Sequence, residues 1–99
     1  MQVNIKATNA ELAPEAHDII REKIDGLSKY YSNIMEADVE VGLTTRHHQK
    51  GNIYLAKVKL MVPKKVLMAE TESDDISKSM NEAVDILKRE LVQYKETHE

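Results

Sequence analysis

Residues 54–73 read YLAKVKLMVPKKVLMAETES, and their reading decides the fold. Tyr54, Ala56, Val58, Leu60 and Val62 alternate with Lys57 and Lys59, the period-2 pattern of a strand with one buried face. Pro63 stops the run and "PKK" makes a tight connection. Leu67, Ala69 and Thr71 then begin a second inward face. Upstream, Val39, Val41 and Leu43 point one way while Asp38, Glu40 and Gly42 point the other. Three strands joined by short connections make an antiparallel meander. Val3 and Ile5 mark a further short strand over about residues 2–8.

Two helices complete the chain. Pro14 suits the first helical position, where its missing N–H costs nothing. Ala16, Ile20, Ile24, Leu27 and Tyr31 follow at helical spacing, and the helix is expected to end near "YYSN". Gly26 weakens its middle. The second helix, from "SDDISKSM" onward, carries Ile76, Met80, Ala83, Val84, Leu87, Leu91 and Tyr94 on one stripe. Ser73 or Asp74 is the expected cap, and Asp74 and Asp75 favour the positive helix end. The order is β-α-β-β-β-α: an α+β fold whose four-stranded sheet buries both helix stripes against one face.

Ninety-nine residues suit a single domain over 1–99, and zero cysteines exclude disulfides and thiolate metal sites. No apolar run reaches the length of a membrane span, and cytoplasm is the expected location. The net charge is −3, but the charge is unevenly placed. Val41 to Ala69 contains no acid and six bases: Arg46, Lys50, Lys57, Lys59, Lys64 and Lys65. The other 70 positions hold eight of the 14 bases and all 17 acids. Such a split implies a local positive field within an acidic molecule.

Catalysis and metal binding lack a basis. No nucleophile elbow or Gly-rich phosphate loop is present. The histidines of "RHHQKG" (46–51) have no acid or cysteine nearby in sequence, and Arg46 and Lys50 repel a dication. No metal, cofactor or small-molecule substrate is therefore expected. Arg46 and Lys50 read as auxiliary anion contacts, to which His47 and His48 add charge at mildly acid pH.

The second helix is more informative. With Leu87 at the centre of the buried stripe, Lys95 and Lys88 fall at about 80° and 100°, and Lys78 and Arg89 at about 180° and 200°. Glu90 lies on the opposite flank, while Asp85 and Glu96 dilute the basic side. Lysines and arginines on a rigid element attract phosphates, and Lys23 and Lys29 join the same surface if the helices pack side by side. Tyr31, Tyr54 and Tyr94 fall on inward faces, leaving Tyr30 free. Backbone and shape recognition of RNA fits better than base stacking. The rival from another class is a protein-interaction module of this fold, binding an acidic protein partner through residues 41–69.

The sequence resembles the short form of the ribosome hibernation-promoting factors, also called ribosome-associated inhibitors or ribosomal subunit interface proteins. The similarity runs through "MQVNI", Pro14, "K-I-x-x-L-x-K-Y-Y" from Lys23 to Tyr31, and "VEVGL". It continues with "Y-x-A-x-V-x-L" from Tyr54, "L-x-A-E" at Leu67, and "D-I-x-x-S-M-N-x-A-V-D-x-L-x-R-x-L-x-x-Y-K" from Asp75. The resemblance implies a fold similar to double-stranded-RNA-binding domains. It also implies binding to small-subunit ribosomal RNA in the mRNA/tRNA channel, which silences idle ribosomes during stress or stationary phase. A separate ribosome modulation factor is an implied candidate partner. The family's basic pattern matches at Lys23, Lys29, Arg89 and Lys95, and Lys88 supplies charge on the same side. Ile86 and Gln93 stand where relatives often place lysine, Glu90 at a commonly amide-bearing position, and Ala13 where a threonine usually precedes the proline. Long relatives carry a second, dimerising domain; a chain ending at Glu99 is not expected to pair two ribosomes in that way.

Overall fold

The computed structural model describes residues 1–9, 11–44 and 53–98. The observed order is β1 (Gln2–Thr8), α1 (Pro14–Asp25), a 3-10 turn (Gly26–Lys29), β2 (Glu36–Leu43), β3 (Tyr54–Val62), β4 (Lys65–Ser73) and α2 (Ile76–His98). The four strands lie in chain order in one sheet. β1 runs parallel to β2 through the α1 crossover, and the remaining pairs are antiparallel. The sequence-stretch "RHHQKG", with Arg46, His47, His48 and Lys50, lies outside the described residues.

Alternation decides which face is buried. Ala37, Val39 and Val41 of β2, Ala56, Val58, Leu60 and Val62 of β3, and Leu67 and Ala69 of β4 all enter one core. Ile20, Ile24 and Leu27 meet it from the first helical segment, and Met80, Ala83, Leu87, Leu91 and Tyr94 meet it from α2. Both helices therefore cover the same side of the sheet, with α2 over β3 and β4 and α1 against β1. The expected stripe of α2 is buried except at its edges, where Ile76 and Val84 are half-buried.

Two helix details differ from the sequence expectation. The first helix does not run on as an α-helix to "YYSN": after Asp25 it tightens into the 3-10 turn beginning at Gly26. Glycine's conformational freedom makes it a poor place to continue α-helix. The cap of α2 is Asp75, not Ser73 or Asp74: its Oδ1 accepts the Ser77 N–H at 2.7 Å, and its carbonyl accepts the Ser79 N–H at 3.0 Å. Ser73 is the last residue of β4.

α2 is clamped to the β3–β4 hairpin near both ends. The fully buried Ser79 Oγ donates to the Tyr54 carbonyl at 2.8 Å, while Thr71 Oγ1 donates to the Ser79 carbonyl at 2.6 Å. At the other end the Tyr94 hydroxyl donates to the Pro63 carbonyl in the hairpin turn. That turn has Lys64 at φ 70° after Pro63, the pattern of a type II turn. Gly42 is required elsewhere, because a Cβ there would lie 2.1 Å from the Thr8 carbonyl oxygen across the β1–β2 ladder. The result is a rigid α2 whose exposed flanks have fixed positions.

Candidate nucleic-acid interface

The basic residues singled out on the helices divide between two directions. The flank of α2 that faces the first helical segment carries Asn81, Lys88 and Lys95, spaced seven residues apart and so stacked about 10 Å from one to the next. Lys23 reaches across from α1, its Nζ donating to Asn81 Oδ1 at 2.6 Å. Lys88 Nζ sits 5.2 Å from the centroid of the Tyr30 ring. These two contacts knit the helices into one seam with Lys23 and Lys88 on it and Lys95 further along. Lys29 is exposed at the end of the 3-10 turn that leads to Tyr30. Tyr30, expected to be free, is half-buried against the core under Lys88.

Arg89 points elsewhere. It lies about 100° round the helix from Lys88, on the crest of α2 directed away from the sheet. Asp85 stands one turn before it, Gln93 one turn after, and Glu96 two turns after. The structure thus sets Lys23 and Lys88 on one seam about two helical turns apart, keeps Lys95 on their flank, and sets Arg89 beside acids.

The partners on the seam leave its charge available. Among the described residues none of Lys23, Lys29, Lys88, Arg89 and Lys95 forms an ion pair, whereas Lys78 is paired with Asp74 at 3.8 Å. Asn81 is neutral and the Tyr30 ring offers only its π face, so neither cancels a cation. Both restrict side chains that would otherwise lose rotamer freedom on meeting an anion. Sequence reading did not single out Asn81. The signal was present, since Asn81, Lys88 and Lys95 recur at i, i+7, i+14 on a helix with a known buried stripe.

The described strand lysines of the acid-free segment 41–69 do not form a patch of one sign. Lys57 and Lys59 project from the sheet face opposite the helices. There the register sets Lys57 between Glu40 of β2 and Glu70 of β4, and Lys59 beside Asp38. Side chains opposed in this way are about 5 Å apart at Cβ. Among the described residues the open face carries five carboxylates (Glu36, Asp38, Glu40, Glu70, Glu72) and three lysines (Lys6, Lys57, Lys59). It is a mixed, mildly acidic lattice rather than a positive patch. Asn4 Nδ2 bridges Glu36 Oε2 at 2.9 Å and Asp38 Oδ1 at 2.8 Å. The neighbouring Asp38 raises the Glu36 carboxyl above its ordinary value through their shared hydrogen bond and charge repulsion. Two faces of opposite character result: cationic at the helix seam, acid-leaning on the open sheet.

Among the described residues no group of three or more potential ligands is arranged to hold a metal ion, and no helix is long and apolar enough to cross a membrane.

Comparison with known proteins adds independent findings. The family model described as "Sigma 54 modulation protein / S30EA ribosomal protein" matches residues 3–99. The curated "Ribosome hibernation promotion factor" of Bacillus subtilis (strain 168) is 27% identical over 97 residues, covering 96% of this chain and 49% of the relative. The chain therefore spans about half the length of that curated relative. The Protein Y N-terminal domain of Thermus thermophilus superposes with a TM-score of 0.81 at 20% identity, covering 95% of this chain and 99% of that one. A ribosomal subunit interface protein from Coxiella burnetii gives 0.83 at 16% identity, covering 96% and 98%. These structures share the fold described above.

Proposed function

The chain belongs to the sigma 54 modulation protein / S30EA ribosomal protein family, and from that premise we propose that it binds the small ribosomal subunit and silences it by occupation. The binding target is ribosomal RNA in the channel used by mRNA and tRNA. Lys23, Lys29, Lys88 and Lys95 meet phosphates along the helix seam, and Arg89 makes a contact at its crest. Arg46 and Lys50 serve as auxiliary anion contacts. The bound domain excludes messenger and tRNA sterically while cells are starved or stationary, and it catalyses no reaction. The whole process takes place in the cytoplasm.

The observation that carries this reading is the Lys23–Asn81 and Lys88–Tyr30 pairing across two packed helices. It holds cations at fixed spacing without neutralising them, which is what phosphate-backbone recognition requires. The acid-leaning sheet face supports a single orientation, since it repels the same RNA. It also removes support from the rival reading, because an acidic protein partner would meet carboxylates beside Lys57 and Lys59.

The test is co-sedimentation of the purified protein with purified small subunits, in the presence and absence of saturating tRNA and messenger. Binding that is stoichiometric and is displaced by tRNA and messenger is expected. A stable complex holding the protein and tRNA together, with neither weakening the other, would overturn the occlusion mechanism.

A further inference from the structure

The geometry points to a second docking surface: the free edge of β4, beneath the C-terminal turns of α2, takes up an extended peptide that presents a lysine or arginine toward the helix. Among the described residues β4 is the terminal strand of the sheet and pairs with β3 alone. It runs nine residues without a proline. Terminal strands are commonly blunted by charge, proline or a bulge. Here the part nearest the hairpin turn instead exposes Val66 and Met68, at 54% and 50%. The two-residue connection makes Val62 and Lys65 the closing pair of the hairpin. Alternation along an antiparallel ladder then directs the N–H and C=O of Val66 and Met68 away from β3, toward the open edge.

A groove of about 350 Å³ opens there, between Lys65–Met68 on one side and Glu90, Gln93 and Thr97 on the other. Glu90 gives it chemical character. Its Oε2 is shielded from solvent and has no hydrogen-bond partner among the described residues. A carboxylate oxygen removed from water without a donor is costly, and rotation of the Glu90 side chain into the groove, away from Lys65 at the hairpin end, lets a cationic donor there remove that cost. The guest is thereby specified. Its backbone pairs with Val66 and Met68, its basic side chain turns toward Glu90, and its next side chain turns to the open face against Val66 and Met68. This is strand addition with alternating basic and apolar residues.

The groove lies about 160° round α2 from Lys88. It stays open when the seam is engaged, so this site is independent of the proposed RNA contact.

The experiment is an NMR titration of the full ¹⁵N-labelled chain with a synthetic peptide of alternating valine and lysine, alongside a matched valine–glutamate peptide. Saturable binding of the lysine peptide with slowed amide exchange at Val66 and Met68 is expected, with none for the glutamate peptide. Glu90→Gln is expected to weaken binding by about tenfold or more, the scale of a lost charged hydrogen bond. N-methylating alternate residues of the lysine peptide, which keeps its charge but blocks strand pairing, is expected to abolish binding to the unaltered protein. Lack of binding overturns the proposal, as do shifts centred on Glu36, Asp38 and Glu40 without protection at Val66 and Met68. Protection that appears on concentrating the protein alone would assign the edge to a second copy of the chain and equally overturn it.

Discussion

Replacing Lys23 and Lys88 together by glutamine separates the helix seam from mere overall charge. The five contacts from the helices, at about 0.7–0.9 each, contribute about −4 to the slope of log K against log salt, which alone lowers affinity about 250-fold between roughly 50 and 200 mM salt. Removing two contacts reduces that contribution to about −2.4, which over the same change of salt costs only about 30-fold. Folding is expected to survive. The Lys88–Tyr30 contact is worth about 0.5–1 kcal/mol at an exposed site, which lowers the melting temperature by at most about 8 °C. The matched control is Lys57→Gln with Lys59→Gln, which removes the same charge from the sheet face, where Glu40, Glu70 and Asp38 are the neighbours. The assay is binding to purified small subunits at several salt concentrations, with melting temperatures recorded for each variant. An unchanged slope for Lys23→Gln/Lys88→Gln would refute the seam. So would an equal flattening by the sheet pair, since only net charge would then matter.

Other expectations concern the scaffold. Gly42→Ala drives a methyl into the Thr8 carbonyl and is expected to cost about 1–3 kcal/mol, read as a lower melting temperature and faster amide exchange at the end of β1. Glu36→Gln is expected to raise the melting temperature at pH 7 but not at pH 4. Asp38 raises the Glu36 carboxyl, so the folded chain holds its proton to higher pH than the unfolded chain, and stability falls as pH rises through that window. Equal effects at both pH values would contradict this. Burial, with the nearby Tyr31, pushes the Tyr94 phenol above its ordinary value. Stability is therefore expected to fall as pH rises past the unfolded tyrosine's value near 10. Tyr94→Phe is expected to lose stability at pH 7, with its hydrogen bond to Pro63, and to show a shallower alkaline decline.

Much of the fold was legible because its elements announce themselves locally. The alternation from Tyr54 to Thr71 and the stripe from Met80 to Tyr94 each fix a buried face from neighbours a few residues apart. What sequence did not show depends on residues brought together from a distance. The parallel pairing of β1 with β2 and the need for glycine at position 42 come from a ladder between segments 34 residues apart. Lys57 and Lys59 looked like part of a basic patch because charge was counted along the chain; across the strands Lys57 meets Glu40 and Glu70, and Lys59 meets Asp38. The cap moved to Asp75 because β4 keeps its pairing through Ser73 opposite Tyr54. At the site, the cations were legible from helical spacing, but Asn81 and Tyr30 as their holders required the packing of α1 on α2. Glu90 read as an ordinary surface acid until its position over the β4 edge was fixed.

Cryo-electron microscopy of the protein bound to purified small subunits tests the central claim most directly. The α1–α2 seam is expected to face ribosomal RNA inside the mRNA/tRNA channel, with the Lys23 and Lys88 ammonium groups in contact with phosphates and the acid-leaning sheet turned away. Density that places the sheet face on the RNA, or the whole domain outside that channel, would contradict it.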